Sequence, residues 1–195
     1  IGKNSTDYKS SPQIELMSIF ELKSFLPLIK RQDEYTNFLT PKISLRFNPS
    51  DMKDHSKTDR RIDVNNAFGI NRLGLGDSYE TGRSLTLGMD YKKEKLENIN
   101  KYFEIKLATI LRDKKEDFIP KTSTIHKTSS NIFGTISNNF SKNFAVGYDF
   151  SLDNDLNTFE YNNINTTISV NNFVTQFNFI EYNGEMGDNN ILTNS

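Results

Sequence analysis

Every second residue is apolar along much of this chain. In "KNFAVGYDFSL" (142–152), Phe144, Val146, Tyr148, Phe150 and Leu152 alternate with Asn143, Ala145, Gly147, Asp149 and Ser151. Side chains on a strand point alternately to its two faces, so this predicts a strand with one apolar and one polar side. "KYFEIKLATILR" (101–112) repeats the pattern. Phe103, Ile105, Leu107 and Leu111 lie on one side, and Glu104, Lys106 and Arg112 on the other. "RSLTLGMDYK" (83–92) sets Leu85, Leu87, Met89 and Tyr91 against Asp90 and Lys92. "LTPKISLRFN" (39–48) sets Ile43, Leu45 and Phe47 against Lys42 and Arg46. Pro41 sits on the apolar side of that segment and lacks an N–H, which predicts a strand start or a bulge.

"RIDVNNAFGI" (61–70) reads as a further strand, with Ile62, Val64, Phe68 and Ile70 opposite Asp63. Weaker alternation predicts strands within 13–26, where Ile14, Leu16, Phe20 and Leu22 mark the apolar side, and at 130–140, 159–170 and 173–182. The final residues, "NNILTNS", read as a loop running into another strand. "NFSKNF" and "SVNNFV" are tight-turn signals, because Asn tolerates positive φ. Longer polar connectors are expected at 49–60, 113–127 and 153–158. "YKKEKLENINKYF" is the one segment that suggests a short helix, and it fits a charged loop between the strands at 83–92 and 101–112 equally well.

This gives about nine strands in up-and-down order, many of about 9–12 residues, against about 5–6 residues in ordinary soluble sheets. A tilted strand of about 9–11 residues crosses a bilayer. Length, alternation and alternating loop size together predict a section of an antiparallel transmembrane β-barrel. The whole of 1–195 is expected to belong to that one domain, as an incomplete barrel cut from a longer protein. The mean hydropathy of −0.62 does not conflict with this, because barrels alternate apolar and polar residues.

The chemistry of the chain is sparse. A net charge of −1 offers no basic field for nucleic acid. There is no Cys, and the two histidines, His55 and His126, are too far apart in sequence for a two-His metal motif. His126 reads as an exposed loop residue. No catalytic, metal-binding or cofactor-binding constellation is expected, and the chain is not read as an enzyme. "GLGD" (74–77) lacks the third glycine of a dinucleotide loop and precedes a strand pattern, so it reads as a turn. Arg72 and Asp77 flank that turn and are placed to pair across it.

In order along the chain, "FLTPKISLRFNPSD" (38–51), "IDVNNAFGINRLGLGDSYETGRSLTLGMDYK" (62–92), "YFEIKLATILRDKK" (102–115) and "SSNIFGTISNNFSKNFAVGYDFSLD" (129–153) resemble the barrel of the LPS-assembly protein LptD family. Asn71, Arg72, Gly76 and Asp77 match the family's turn motif. Ala108-Thr109 and Ser78 depart from it, standing where Gly-Gln and Arg are common. The resemblance implies a bacterial outer-membrane translocon that inserts lipopolysaccharide into the outer leaflet. Its implied partners are the plug lipoprotein LptE, periplasmic bridge proteins and outer-membrane lipids.

In such a barrel Lys42, Arg46, Asp63, Asp90, Glu104, Lys106, Arg112 and Asp149 are expected to face the lumen. Leu85, Leu87, Ile105, Leu107, Phe144, Val146, Tyr148 and Phe150 are expected to face lipid. Tight turns near 140–142 and 171–172 suggest the periplasmic side, which puts 73–79 and 113–127 outside the cell. The connector 49–60 then falls at the wrong end. The alternatives are another outer-membrane barrel, a porin or receptor, and a soluble β-sandwich that buries its apolar faces between two sheets.

Overall fold

The structure, a computed structural model, describes residues 16–195; Ile14 and the start of the predicted 13–26 strand lie outside the described residues. Ten strands form one antiparallel sheet. They are β1 (Phe20–Phe25), β2 (Leu28–Arg31), β3 (Tyr35–Asn48), β4 (Gly82–Lys95), β5 (Asn98–Arg112), β6 (Ile132–Ser141), β7 (Phe144–Leu152), β8 (Phe159–Val170), β9 (Phe173–Tyr182) and β10 (Asn189–Asn194). From β3 onward each strand pairs with the next in the chain. The outermost strands, β1 with β2 and β10, do not pair with each other, so the sheet is an open barrel section.

β1 and β2 both pair with β3, as two halves of one strand broken at Leu26-Pro27. Pro41 is not at a strand start. It lies inside β3, opposite Met89, and its carbonyl accepts from the Leu26 N–H at 3.1 Å. The N and O of a strand residue point the same way, so the donor that Pro41 lacks faces the gap between β1 and β2. The break in the neighbouring strand is what lets β3 carry a proline in mid-strand.

The segment 61–70 is not a strand. It belongs to one long connector, residues 49–81, between β3 and β4. Asp63 Oδ1 accepts from the N–H groups of Asn65 at 2.7 Å and Asn66 at 2.9 Å, and the Asp63 carbonyl accepts from the Ala67 N–H at 2.9 Å. These side-chain bonds turn the chain where a ladder would have extended it. Dropping this strand also resolves the misplaced connector. The tight turns 32–34, 96–97, 142–143 and 171–172 share one end of the sheet, and 49–81, 113–131, 153–158 and 183–188 share the other. Asn171 takes a φ of 55°, as its turn requires. The charged segment 93–97 is mostly strand: β4 and β5 extend to a two-residue turn at Leu96-Glu97.

Burial reverses the order usual in soluble sheets. On β3, Ser44, Arg46 and Asn48 are buried while Ile43, Leu45 and Phe47 are exposed. The connectors 49–81 and 113–131 fold over the polar face and bring their own core with them. Met52, Ile62, Val64, Ala67, Leu73, Leu75, Ile119 and Ile125 pack on Ala108, Ile110 and Phe133 of the sheet. Phe68 joins them and lies over Gly88, where a Cβ would stand 2.7 Å from its ring and 2.8 Å from the Leu107 carbonyl oxygen. A Gly88→Ala variant should therefore displace Phe68 and lower stability by about 1–3 kcal/mol, checked by denaturant titration of the refolded protein.

Candidate functional site

The cross-strand register sorts the side chains onto two faces. Pairs such as Leu45 with Leu85 and Leu85 with Leu111 set Leu85, Leu87, Ile105 and Leu107 on one face. The register continues through Ile105 with Ile136 and Ile136 with Tyr148, so Phe144, Val146, Tyr148 and Phe150 lie on that face too. Lys42, Arg46, Asp90, Glu104, Lys106, Arg112 and Asp149 lie on the opposite, polar face. Asp63 lies off the sheet, exposed in the 49–81 connector, because its side chain serves the turn.

The polar face has two zones. Toward the tight turns it is open and charged: Lys42 pairs with Asp90, Lys106 with Glu104 at 3.1 Å and Lys92 with Glu94 at 2.8 Å. Lys42 also sits over the rings of Phe25 and Phe68, at 5.9 and 5.6 Å. Toward the other end the connectors cover it, and there a buried cluster gathers around Glu80. Arg72 donates to Glu80 through Nε at 2.6 Å and Nη2 at 2.5 Å. Arg112 donates to the same carboxylate, and Arg46 Nη1 stands 3.5 Å from it. Arg72 also reaches Ser84 Oγ at 2.9 Å and Thr86 Oγ1 at 3.0 Å, and Arg46 holds the Glu80 carbonyl at 2.9 Å. Burial pushes the Glu80 carboxyl up, but Arg72, Arg112 and Arg46 outweigh it and hold the group down at about 2.

The turn motif is thus only partly a turn. Asn71 closes it, donating through Nδ2 to the Leu75 carbonyl at 2.9 Å and accepting from the Leu75 N–H. The positive φ, 61°, falls on Gly74, not Gly76. Arg72 does not pair with Asp77. It is drawn inward to Glu80, while Asp77 meets Lys53 at 3.4 Å and His55 at 3.0 Å at the surface. His126 is half-buried, not exposed: it packs beside Glu185 at 3.7 Å where the 113–131 and 183–188 connectors meet.

A second polar network crosses β6, β7 and β8. Thr135 and Asn163 donate to the two Asp149 oxygens at 2.7 and 3.0 Å, and Asn131 Nδ2 donates to Ser151 Oγ at 3.0 Å and Glu160 at 2.6 Å. A cavity of about 270 Å³ lies between this network and the 49–81 connector, walled by Arg61, Asp149, Tyr161 and Tyr182. Arg61 stacks on the Tyr182 ring at 3.9 Å. The sequence reading missed Glu80 and Arg61 as structural anchors. The signal for the connector's turn was "DVNN", a cluster of turn formers inside an apparent strand.

What these groups do together is build a wall. Among the described residues one face is largely apolar and uncovered, and the other is polar and carries its own folded connectors at one end. No individual curated protein matches the sequence. The family model for LPS transport system D, LptD, matches residues 2–192, nearly the whole chain. An open, up-and-down antiparallel sheet with apolar and polar faces is what a piece of that barrel requires, and the chain belongs to the LptD family, which functions in lipopolysaccharide transport to the outer membrane.

Proposed function

We propose that this chain forms a wall section of the outer-membrane lipopolysaccharide translocon, with its apolar face in lipid and its polar face lining the lumen. The observation that carries this is the reversed burial: Leu45 is 51% exposed and Arg46 beside it 4%. A water-soluble sheet buries the leucine, and lipid is the solvent in which this arrangement is stable. The soluble sandwich needs a second layer over the apolar face, and none covers it among the described residues.

In this reading the chain carries no catalysis. Its polar face guides a glycolipid, and the plug lipoprotein LptE and the periplasmic bridge proteins engage the same barrel. The tight-turn end faces the periplasm, and the connectors 49–81 and 113–131 face the cell exterior before folding inward. All of 1–195 belongs to the one barrel domain.

A photo-crosslinker at Asn165, on the polar face of β8 opposite Gly147, tests the reading in cells making the full-length protein. It should trap lipopolysaccharide while export runs and lose it when supply is halted. A crosslinker at Leu87 should trap membrane lipid under both conditions. Capture at Leu87 that follows export, with none at Asn165, would reverse the two faces. The isolated 195-residue piece should not give a cooperative monomeric melt in water, because both sheet edges are open. A sharp, concentration-independent transition by calorimetry would oppose the barrel reading.

A further inference from the structure

The polar face is covered unevenly. The connectors 49–81 and 113–131 are tied to each other. The His55 N–H donates to the Phe118 carbonyl at 2.9 Å, and Arg60 and Thr122 exchange two hydrogen bonds at 3.1 Å. The two connectors therefore form one cover. Over β3, β4 and β5 the Glu80 cluster holds it, with every side chain in the cluster almost fully buried. The apolar core lies beside that cluster and reaches Phe133 on β6, and no member of it lies on β7, β8 or β9 among the described residues. Past the core, between the cover and β7 and β8, lies the cavity of about 270 Å³ walled by Arg61, Asp149, Tyr161 and Tyr182.

At this far side the cover meets residues 183–188, which are seated on the sheet. The Asn183 N–H donates to the Glu160 carbonyl at 2.8 Å, and Met186 is buried. Gly184, with φ 60°, packs so closely that a Cβ would stand 2.7 Å from Glu160 Oε1. The cover grips this segment through polar contacts. Lys127 meets Glu185 at 2.7 Å and His126 meets it at 3.7 Å, while Arg61 donates to the Met186 carbonyl at 3.1 Å. The side chains of Arg61, Lys127 and Glu185 are 34%, 31% and 32% exposed, so water competes for their partners and the grip is weak. Asp59, 3.3 Å from Arg61 on the same connector, keeps a partner for that cation when Met186 lets go. The Glu80 cluster has no such release, because parting it strands buried charge. A cover fixed firmly along one side and weakly along the other opens at the weak side first.

We infer that residues 183–188 are the latch of a gate. The cover pivots about the Glu80 cluster, parts from 183–188 and opens the polar face of β6, β7 and β8 toward the cell exterior while lipopolysaccharide passes. Opening uncovers Thr135, Asp149, Tyr161 and Asn163, which carry the hydrogen-bonding groups and a ring of that part of the wall. A gate here rests on the reading of the polar face as the lumen wall.

The test uses cells making the full-length protein with Lys127→Cys and Glu185→Cys, joined by a short bismaleimide whose linker holds a cleavable disulfide. Joining the two positions should stop newly made lipopolysaccharide from reaching the cell surface, and reducing the linker should restore it. Each single-cysteine variant, treated alike, should export as the wild type does. The same reagent across Lys53→Cys and Asp77→Cys, a pair 3.4 Å apart on the hinge side, should leave export unchanged. Hydrogen exchange of the folded full-length protein reads the hinge without export. In a variant carrying both Arg61→Met and Glu185→Gln, amides of Arg61 to Asn66 should exchange faster than in the wild type, and those of Leu73 to Gly76 should keep their rates.

Export that continues with Lys127→Cys and Glu185→Cys joined overturns the inference. So does exchange that quickens as much at Leu73 to Gly76 as at Arg61 to Asn66. Either result leaves the lumen reading intact while the crosslinker at Asn165 still traps lipopolysaccharide. No trapping there in unlocked cells removes that reading and the gate together.

Discussion

Replacing Glu80 with Gln should release the 49–81 connector from the sheet. Among the described residues Glu80 is the one carboxylate in contact with Arg72, Arg112 and Arg46, and all four groups are buried. Breaking a buried pair by removing one partner costs about 3–5 kcal/mol, because the other charge stays behind unpaired. Here three guanidiniums would stay behind. Losing one arginine leaves Glu80 still paired, so Arg46→Met and Arg72→Met should each cost less than Glu80→Gln. That order separates a carboxylate hub from a set of independent salt bridges. Hydrogen exchange in the folded full-length protein reads it: amides of Leu73 to Gly76 should exchange faster in Glu80→Gln than in either arginine variant. Unchanged exchange there would show that the apolar core of the connector seats it alone.

The same group gives a pH dependence. The folded pKa of Glu80, about 2, lies below its ordinary 4.5. An acid with a depressed folded pKa contributes stability that is present above its unfolded pKa and lost as pH falls toward the folded one. Connector seating should therefore weaken between about pH 4.5 and pH 2, and the contribution from this group should vanish from the profile of Glu80→Gln.

The strands were legible where a single physical rule governs them. From β3 to β9 one face meets one environment and the other face another, so period 2 survives in residues such as Phe144 to Leu152. The rule fails in two places. At 61–70, Ile62 and Val64 are spaced like strand residues, but they are buried in a connector core, and connector cores impose no period. The Glu80 cluster was illegible for another reason: Glu80 contacts Arg46 from 34 residues away and Arg112 from 32, and no local spacing encodes such a meeting. Arg72, eight residues from Glu80, was within reach of inspection. Sequence alone pairs it with Asp77, the nearer acid, because sequence distance does not reveal which acid is pulled out of water. The break between β1 and β2 was written in Pro27 and Pro41 together, but seeing it needs the register that pairs their strands.

An arginine at Ile105 should damage the barrel more than any other outward substitution of the same size near a strand end. Ile105 is at the centre of β5, and Tyr91 and Ile136 flank it across both ladders on the same face. The residues beside it on that face, Tyr91, Ile136, Phe103 and Leu107, are apolar or aromatic, and none of them offers a carboxylate. If this face meets lipid, Ile105→Arg carries a cation to mid-membrane at a cost of about 2–4 kcal/mol, whereas the same residue near an interface costs about 0–1. Lys106, next along the strand, already carries a charge at that depth, answered by Glu104. Lys106→Ile should therefore cost little, although it removes the more hydrophilic residue. The contrast is the decisive part, because a soluble sheet with a wet apolar face predicts the opposite: Ile105→Arg would be neutral in water. Urea titration of the full-length protein folded into vesicles, with heat-modifiable mobility as the fold signal, measures both variants. A midpoint unchanged by Ile105→Arg would take the apolar face out of the bilayer.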